Sequence, residues 1–282
     1  MIELIAANAY EIFGGILLVL ALALAAVKSK AIDVPGALAG AFISFAAFLA
    51  GGVAWLLIIV AFFGISSLLT RFKYDYKRSL GSAQEKGGKR SWPNAVANGA
   101  VSAVVAIAEI FTHQEIFIVA FLGSVAAAMG DTVATEIGLL SKSKPRSITN
   151  LKKFVAPGTS GGVSLLGELA ALGSALGIAV IGLYIGILGG IAFKDILSGV
   201  LAIVVGAFLA TNLDSLIGER AQGLNKCQIC GALTENRTHC GREAIPVKGV
   251  RALDNNGVNL IATIAAAILS IALFLLFVRT IP

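Results

Sequence analysis

The chain of 282 residues is 57% hydrophobic and only 13% charged, with a mean hydropathy of +0.89. This composition excludes a water-soluble domain and is typical of a polytopic membrane protein whose length suits one compact bundle. The net charge of +6 indicates membrane topology, because the basic residues cluster between apolar runs, and we expect no nucleic-acid partner. We therefore predict an all-α integral membrane protein, with residues 1–282 forming a single polytopic membrane domain.

Eight apolar runs are long enough to cross the hydrocarbon core, which takes roughly 20 helical residues. They cover residues 10–27, 34–50, 51–69, 94–112, 115–140, 162–185, 196–218 and 257–278. Ala50, Gly51 and Gly52 predict a tight hairpin between the second and third runs, whereas the stretch 182–193 could belong to either neighbouring run. We predict no removable signal peptide, because "MIELIAANAYE" lacks a basic segment.

Basic residues occupy alternate connections between these runs. They follow the first, third, fifth and seventh runs, whereas only Lys194 and Arg279 fall in the other connections. With eight helices, all basic loops lie on one side, which the positive-inside rule assigns to the cytoplasm, and both termini lie outside. A seven-helix count would lose this asymmetry. We therefore predict about eight transmembrane helices in one bundle with cytoplasmic basic loops, in a membrane that we expect to be a prokaryotic plasma membrane.

The fifth run contains the polar stretch "MGDTVATEIG". At about 100° per residue, Asp131, Thr132, Thr135 and Glu136 fall within an arc of about 140°, so one face of this helix is polar. A carboxylate near the bilayer centre costs roughly 2.5–3.5 kcal/mol, and such residues usually face a bundle interior and mark a site. The stretch therefore predicts a functional site within the membrane domain.

Other runs carry polar residues at the same, cytoplasmic depth: Asn98, Glu168, Asp214 and Asn256. Interhelical hydrogen bonds explain any one of them taken singly. Several carboxylates at one depth would repel each other unless a cation or a proton lay among them. Because oxygen-only ligands suit Mg²⁺, the pattern favours a magnesium site.

A glycine-rich turn precedes the sixth run in "KKFVAPGTSGGVSLLGELA". A turn of this kind at a helix N-terminus directs backbone N–H groups and the positive end of the helix dipole at an anion. Lysines and arginines upstream of the turn favour phosphate as that anion, although glycine and serine also commonly cap helices. The turn is not a Walker A loop, because G-x-x-x-x-G-K-[ST] is absent.

A polar loop, residues 219–256, holds all three cysteines of the chain and is predicted to be cytoplasmic. Cys227, Cys230, His239 and Cys240 could supply a tetrahedral Zn²⁺ site, and C-x-x-C is the usual first half of one. His239 and Cys240 are adjacent, which is awkward for two ligands of one ion. Reduced thiols without a metal are the alternative.

Five motifs in order along the chain carry a family resemblance: "GGKRSWPNAVANG", "GDTVATEIG", "APGTSGGVSLLGELA", "NLDSLIGE" and "DNNGVN". The set resembles the polytopic family that contains plant phytyl-phosphate kinase and transmembrane protein 19, from about Gly36 to Asn259. More distantly, it is similar to the CTP-using membrane enzymes phytol kinase, dolichol kinase and CDP-diacylglycerol synthase. Pro93 and Asn94 depart from the Gln-Val type pair expected before "ANG".

The resemblance implies Mg²⁺-dependent transfer of a phosphoryl group from a nucleoside triphosphate, with CTP favoured, to a prenyl monophosphate such as phytyl or geranylgeranyl phosphate. It implies roles for residues that match the motifs: Mg²⁺ ligands at Asp131, Glu136 and Asp214; a phosphate loop at Thr159, Ser160, Gly161 and Gly162; orienting amides at Asn98 and Asn256; and charge from Lys152, Lys153 and Arg90. Asp131, Asp214 and Lys153 are the predicted catalytic residues. Glu136 lies at the edge of the polar arc, where it could serve either the metal or a neighbouring lysine.

Other functions share parts of this pattern. A polyprenol kinase or a cytidylyltransferase would need the same carboxylates. An ion-coupled transporter also uses buried carboxylates and glycine-rich helices, but its polar residues would continue across the bilayer. Here they stop in the cytoplasmic half, with Glu109 as the main exception. A noncatalytic lipid-binding scaffold would have little use for an acidic cluster.

Overall fold

The computed structural model describes residues 2–188, 195–231, 233–234 and 237–280. Lys194 and the end of the 182–193 stretch lie outside the described residues, as do three positions of the 219–256 loop. The described chain forms nine helices: α1 Ile2–Lys28, α2 Val34–Arg71, α3 Tyr74–Ser79, α4 Glu85–Gly88, α5 Trp92–Thr112, α6 Glu115–Gly138, α7 Leu165–Leu188, α8 Ile196–Arg220 and α9 Asn255–Thr280.

Helix α2 is a helical hairpin rather than one straight rod. A continuous helix of its 38 residues would be about 57 Å long, which would separate its ends widely. Instead the Arg71 guanidinium at its end donates to the carbonyl of Ser29, just before its start (3.0 Å). The chain reverses where Gly51 and Gly52 leave helical geometry, with φ of +59° at Gly52. The tight turn predicted at these glycines is therefore confirmed.

Seven of the described helices are long and apolar enough to cross a membrane. Because α2 folds back on itself, they supply eight apolar segments, and the predicted polytopic helical membrane fold is confirmed. Large apolar side chains cover the outside of the bundle, as Leu68 (71% exposed) and Phe111 (80% exposed) illustrate. An apolar exterior of this kind suits a lipid environment rather than water.

Helix α6 lies at the centre of the bundle and contacts α2, α5, α7, α8 and α9. Small residues let its neighbours approach closely, as is usual between helices in membranes. A Cβ added at Gly123 would lie 2.2 Å from the Ser270 hydroxyl of α9, and one at Gly138 would lie 3.6 Å from the Gly167 Cα of α7. Glycines therefore set the spacing of helices around α6.

The connections after α6 and α8 contain short antiparallel strands that an all-α prediction does not include. Three small sheets form, with strand orders β2-β1-β3, β5-β4-β8 and β6-β7. The strands are β1 Arg146–Ser147, β2 Asn150–Phe154, β3 Gly162–Val163, β4 Leu224–Lys226, β5 Leu233–Thr234, β6 Thr238–His239, β7 Arg242–Glu243 and β8 Ile245–Lys248.

The connections of the chain fall at two ends of the bundle. We call the end that carries residues 29–33, 72–91, 139–164 and 221–254 the basic end, and the opposite end the apolar end. Helix α6 begins at the apolar end with Glu115 and reaches the basic end at Gly138. All the residues predicted to form the site lie toward the basic end.

Candidate active site

A buried ion pair joins the 72–91 connection to α6. Lys77, on the short helix α3, places its Nζ 2.5 Å from Oε2 of Glu136, and both side chains are almost fully buried. The same Nζ donates to the carbonyl of Leu69 at the end of α2 (2.6 Å). Glu136 was predicted as a Mg²⁺ ligand, but its carboxylate is engaged by a lysine in this structure.

Arg90 lies beside the same face of α6. Its main chain bonds to the connection between α1 and α2, through Ala31 O (2.9 Å) and Asp33 N (3.0 Å). Its guanidinium interacts electrostatically with Asp131 and Glu136 and donates to Asn94 Oδ1 (2.7 Å). Among the described residues, the buried Nε of Arg90 finds no hydrogen-bond partner. A buried guanidinium N–H of this kind is a donor available to an anion.

Side-chain amides lie in a row between this arginine and Asp214 on α8. Asn98 Nδ2 donates to Asn94 O (2.9 Å), and Asn98 Oδ1 lies 3.5 Å from the Asn259 amide of α9. When its amide nitrogen faces Asp214 and Asn255, Asn259 donates to Asp214 Oδ2 (3.0 Å) and to Asn255 O (3.1 Å), and in that orientation its contact with Asn98 is not a hydrogen bond. Four helices therefore contribute to one set of residues, which we call the polar cluster: Arg90, Asn94, Asn98, Asp131, Asp214 and Asn259.

Helices α6 and α8 meet next to their two aspartates. A Cβ on Gly130 of α6 would lie 3.0 Å from the Thr211 hydroxyl of α8. Asp131 follows that glycine directly, and Asp214 lies three residues after that threonine, close to one helical turn away. The crossing therefore brings both predicted carboxylates to the same region of the interior, where Asp214 is 8% exposed.

The glycine-rich turn packs against the end of α8 rather than opening α7 directly. Strand β3 lies between the turn and α7, which begins at Leu165 instead of residue 162, and Ser164 caps the helix by accepting from Gly167 N (3.1 Å). The expectation that the turn leads straight into a helix N-terminus is therefore wrong, because Gly162 is used in strand pairing.

Several contacts nevertheless hold the turn against the end of α8. Ser160 Oγ donates to Gln222 Oε1 (2.9 Å), and Gly161, with φ of +78°, lies against Glu219 so closely that a Cβ would be 2.3 Å away. Glu219 in turn accepts from the Ser147 hydroxyl (2.7 Å) and from Thr149 N (3.1 Å). The 139–164 connection is thus tied to the helix that carries Asp214.

A second buried donor at the basic end is unused. Like Arg90 Nε, the buried Nε2 of Gln222 has no partner among the described residues. Gln222 follows α8 and contacts the glycine-rich turn through its other amide atom. Unused buried donors make this end of the bundle suited to an anionic ligand.

Some predicted residues lie apart from these contacts. Lys152 and Lys153 are on β2, whose residues are all exposed. Thr159 is exposed, and its amide closes a turn onto Ala156 O (3.1 Å). Asn256 is half-buried at the start of α9; the amide that reaches Asp214 belongs to Asn259, one turn later.

An open cleft of about 520 Å³ lies at the basic end. The described residues that line it include three cations: Ser29, Lys30, Arg71, Tyr74, Gly87 and Lys89. The cleft is therefore a second cationic surface at the same end of the bundle.

Sequence reasoning missed Lys77, Asn94 and Asn259 as site residues. Asn259 carried a signal, because it follows Asn256 by three residues and Asn255 by four, which places it on the inner face of the helix start. Asn94 stands out in the sequence only as a departure from a motif. The sequence contains no signal for Lys77, because a lysine among six basic residues of one connection looks like a solvated charge.

The four predicted zinc ligands come together in the 221–254 connection. The ligand atoms of Cys227, Cys230, His239 and Cys240 all lie within 4.8 Å of one another, and the three cysteines are free thiols. A backbone hydrogen bond from Cys230 is the main cause that lowers the pKa of the Cys227 thiol to about 6. A hydrogen bond to Cys230 is the main cause that raises the pKa of Cys240 to about 11.

The fold and the site define a polytopic membrane protein. Its buried carboxylates, cations and amides lie together at one end of the helical bundle. The chain belongs to the family described as integral membrane protein DUF92, whose family model matches residues 17–267. The family relationship inferred from the sequence motifs is thereby confirmed.

Three relatives illustrate the family. Protein PGR of Arabidopsis thaliana is 31% identical over 261 residues, which cover 86% of this chain and 89% of that protein. An uncharacterized membrane protein of Methanocaldococcus jannaschii is 31% identical over 264 residues, 94% of each chain. Protein VTE6, chloroplastic, of Arabidopsis thaliana is 29% identical over 153 residues, 50% of this chain and 46% of that protein. No solved structure matches the chain significantly.

Proposed function

We propose that this protein transfers a phosphoryl group from a nucleoside triphosphate, with CTP favoured, to a prenyl monophosphate and so forms the prenyl diphosphate. Membership of the DUF92 family and similarity over half the chain to protein VTE6, together with the resemblance to phytyl-phosphate kinase, support this class of reaction. The acceptor is phytyl or geranylgeranyl phosphate.

The observation that carries the proposal is the surroundings of Arg90. Its unused buried Nε–H lies in a cluster that also holds Asp131 and, through Asn94, Asn98 and Asn259, Asp214. Phosphoryl transfer between two anions needs fixed donors and cations that offset the repulsion of the phosphates, and needs little covalent chemistry from the protein. Arginine suits this role because its planar guanidinium matches phosphate oxygens.

The donor set fits Mg²⁺. Asp131 and Asp214 supply carboxylate oxygens from facing helices, and Mg²⁺ is usually held by one or two carboxylates together with phosphate oxygens and water. When bound, the ion would offset the negative charge of the donor phosphates. Glu136 has a different task in this proposal: its ion pair with Lys77 fixes the 72–91 connection and adds negative charge beside Arg90.

The remaining residues hold phosphates at the rim of the site. Ser160, Gly161 and the unused Gln222 amide would contact one phosphate group. The cleft lined by Lys30, Arg71 and Lys89 would attract the nucleotide from water. Lys152 and Lys153, exposed on β2, would contribute to attraction at longer range. The acceptor group in this reaction is a phosphate and not a hydroxyl. A phosphate oxygen is already a nucleophile.

The geometry also suits a lipid acceptor. An isoprenoid tail can lie against the apolar exterior of the helices while its phosphate reaches the basic end. In this proposal the basic end faces the cytoplasm and both termini lie outside a prokaryotic plasma membrane, and the clustering of basic residues at this end supports that orientation. Among the described residues, the buried charged side chains are Lys77, Glu136 and Asp214, all toward the basic end. Glu109, toward the apolar end, is only partly buried and lies 3.8 Å from His113. An ion-coupled carrier would need such groups across the whole bilayer, so this distribution favours an enzyme.

The test is a direct assay. Detergent-purified protein is incubated with Mg²⁺, each labelled nucleoside triphosphate and phytyl or geranylgeranyl phosphate, and the products are separated by chromatography. We expect prenyl diphosphate, with the highest rate from CTP and a rate at least about 10³-fold lower from the Asp131→Asn variant. Product from no combination would overturn the proposal. Release of pyrophosphate with a CDP-lipid would identify a cytidylyltransferase, and phosphorylation of a free prenol would identify a polyprenol kinase.

A further inference from the structure

The ligand atoms in the 221–254 connection have the spacing of a tetrahedral metal site. Zinc bound to thiolates at about 2.3 Å and to histidine nitrogen at about 2.0–2.1 Å places neighbouring ligand atoms roughly 3.5–3.8 Å apart. The Cys230 and Cys240 sulfurs are 3.8 Å apart. His239 Nδ1 lies 3.5 Å from Cys230 Sγ and 3.3 Å from Cys240 Sγ. The edges that join these three atoms are therefore those expected around one ion.

The backbone resolves the difficulty posed by the adjacency of His239 and Cys240. Strands β6 and β7 form a two-residue hairpin whose central residues, Cys240 and Gly241, both have positive φ (+52° and +74°). Positive φ at both positions is the mark of a type I′ turn, and it is rare for a residue other than glycine. The turn brings the side chains of His239 and Cys240 to one point. The positive φ of Cys240 is an unfavourable conformation that needs a compensating interaction.

Cys227 and Cys230, the two cysteines of the C-x-x-C motif, also have a geometry that suits metal binding. Ile229 N donates to Cys227 Sγ (3.3 Å), and Gly231 after the second cysteine has φ of +73°. An amide directed at the sulfur stabilises a thiolate, the form that binds zinc. Cys227 is buried, at 2% exposure, whereas Cys230 and Cys240 are reachable from solvent. The cluster therefore has both an inner anchor and a path for an ion to enter.

We propose that Cys227, Cys230, His239 and Cys240 bind one structural Zn²⁺. Three sulfurs and one nitrogen form a soft ligand set that favours zinc over Mg²⁺ or Ca²⁺. Because all four positions are filled by protein, the site is closed and has no open position for a substrate. Its role is to order the connection and not to take part in chemistry.

The placement of the connection gives the ion a consequence for the rest of the molecule. Gly223 N donates to Leu253 O (2.8 Å), and Gln222 bridges to Val250, so the two ends of the connection meet directly below α8 and α9. These helices carry Asp214 and Asn259. Ordering the connection with zinc would therefore hold in place the Gln222 amide that contacts the glycine-rich turn.

The decisive measurement is the metal content of the full-length wild-type protein, purified in detergent with a mild reductant and no chelator. We expect about one zinc per chain, thiols that react with a cysteine reagent only after a zinc chelator is added, and strong visible absorption from tetrahedral thiolate coordination when Co²⁺ replaces zinc. Absence of stoichiometric zinc with three reduced thiols would overturn the proposal, and so would a Cys230–Cys240 disulfide or bound iron.

Variants locate the ion. Cys230→Ser and Cys240→Ser should each lower zinc content at least tenfold and increase the rate at which a protease cuts the connection. Arg242→Ala, an exposed change in the same hairpin, should change neither quantity. Equal zinc content in all three variants would place the metal elsewhere. None of these readouts uses enzymatic activity, so they stand or fail independently of the proposed kinase function.

Discussion

The two ends of the bundle are built from different chemistry, and helix α6 passes through both. Toward the apolar end, Phe121 stacks on Trp55 with ring centroids 4.0 Å apart, and both side chains are fully buried. Toward the basic end, the same helix presents Asp131 and Glu136 to an arginine and a lysine. The difference separates two tasks: packing in the first half of α6 holds the helices together, and polar groups in its second half form the site.

Substitutions at the two ends should therefore have opposite effects on stability and on turnover. Changes at the apolar end should lower stability and leave turnover per folded molecule intact. Changes in the polar cluster should abolish turnover and leave the fold intact, because hydrogen-bonded polar groups contribute little net stability compared with close packing.

The largest expected effect is on activity. Asp131→Asn and Asp214→Asn should each lower turnover by about 10³-fold or more, since each removes a charge directed at the metal and phosphates. Thermal unfolding in detergent should be nearly unchanged. Glu168→Gln is the matched control, because Glu168 is a half-buried carboxylate that bonds to Asn212 (3.1 Å) outside the cluster. Near-normal turnover in either aspartate variant would remove the metal assignment.

The Lys77–Glu136 pair is the exception within the basic end, because its removal should cost stability. Lys77→Met should destabilise the fold by roughly 3–5 kcal/mol, since it leaves a buried carboxylate without its partner. The double variant Lys77→Met/Glu136→Leu should recover most of the loss, because no unpaired charge remains. Thermal unfolding of wild type, single and double variants measures this, and an unchanged unfolding temperature for the single variant would contradict the buried pair.

At the apolar end, Phe121→Ala should lower stability with no specific loss of activity. Removing a buried aromatic ring costs about 3–5 kcal/mol in protein cores through the cavity it leaves, and we expect the lower part of that range within lipid. Phe111→Ala is the control, because Phe111 is 80% exposed on the outside of the bundle. A fall in turnover per folded molecule in Phe121→Ala would break the division between the two ends.

A substitution in the glycine-rich turn should have a smaller effect, both on local stability and on the KM for nucleotide. Gly161→Ala adds a Cβ 2.3 Å from Glu219 at a residue with φ of +78°, which costs of order 1–3 kcal/mol locally. The turn should shift on α8 and raise the KM for nucleotide. Gly173→Ala is the control, because nothing lies within 4 Å of its added Cβ. An unchanged KM in Gly161→Ala would exclude the turn from phosphate binding.

The smallest effect is expected at the exposed lysines of β2. Lys152→Ala and Lys153→Ala should raise the KM for nucleotide only a few-fold, and added salt should remove the difference, because exposed charges are screened at about 10 Å in 0.1 M salt. Steady-state kinetics at two salt concentrations measures this. A loss of turnover as large as that of Asp131→Asn would restore Lys153 to the catalytic residues.

Much of this architecture follows from local features of the sequence. Apolar length, alternating basic connections and the glycine pair at Gly51 and Gly52 are properties of short segments, and they predict the bundle and its hairpin. The polar face of α6 follows from helical periodicity alone. Short strands in the connections escaped prediction because segments of two to five residues are too short to show an alternating pattern, and strand formation depends on the surrounding packing.

Hydropathy and helical periodicity predict a helical membrane bundle with carboxylates on inner faces at one depth, because both patterns depend on the residues of one segment. The partners of these groups depend on the fold: Lys77 for Glu136, Asn259 for Asp214 and the end of α8 for the glycine-rich turn. The physical reason is that burial turns an ordinary surface lysine or amide into an obligatory hydrogen-bonding group, and burial depends on which helices meet.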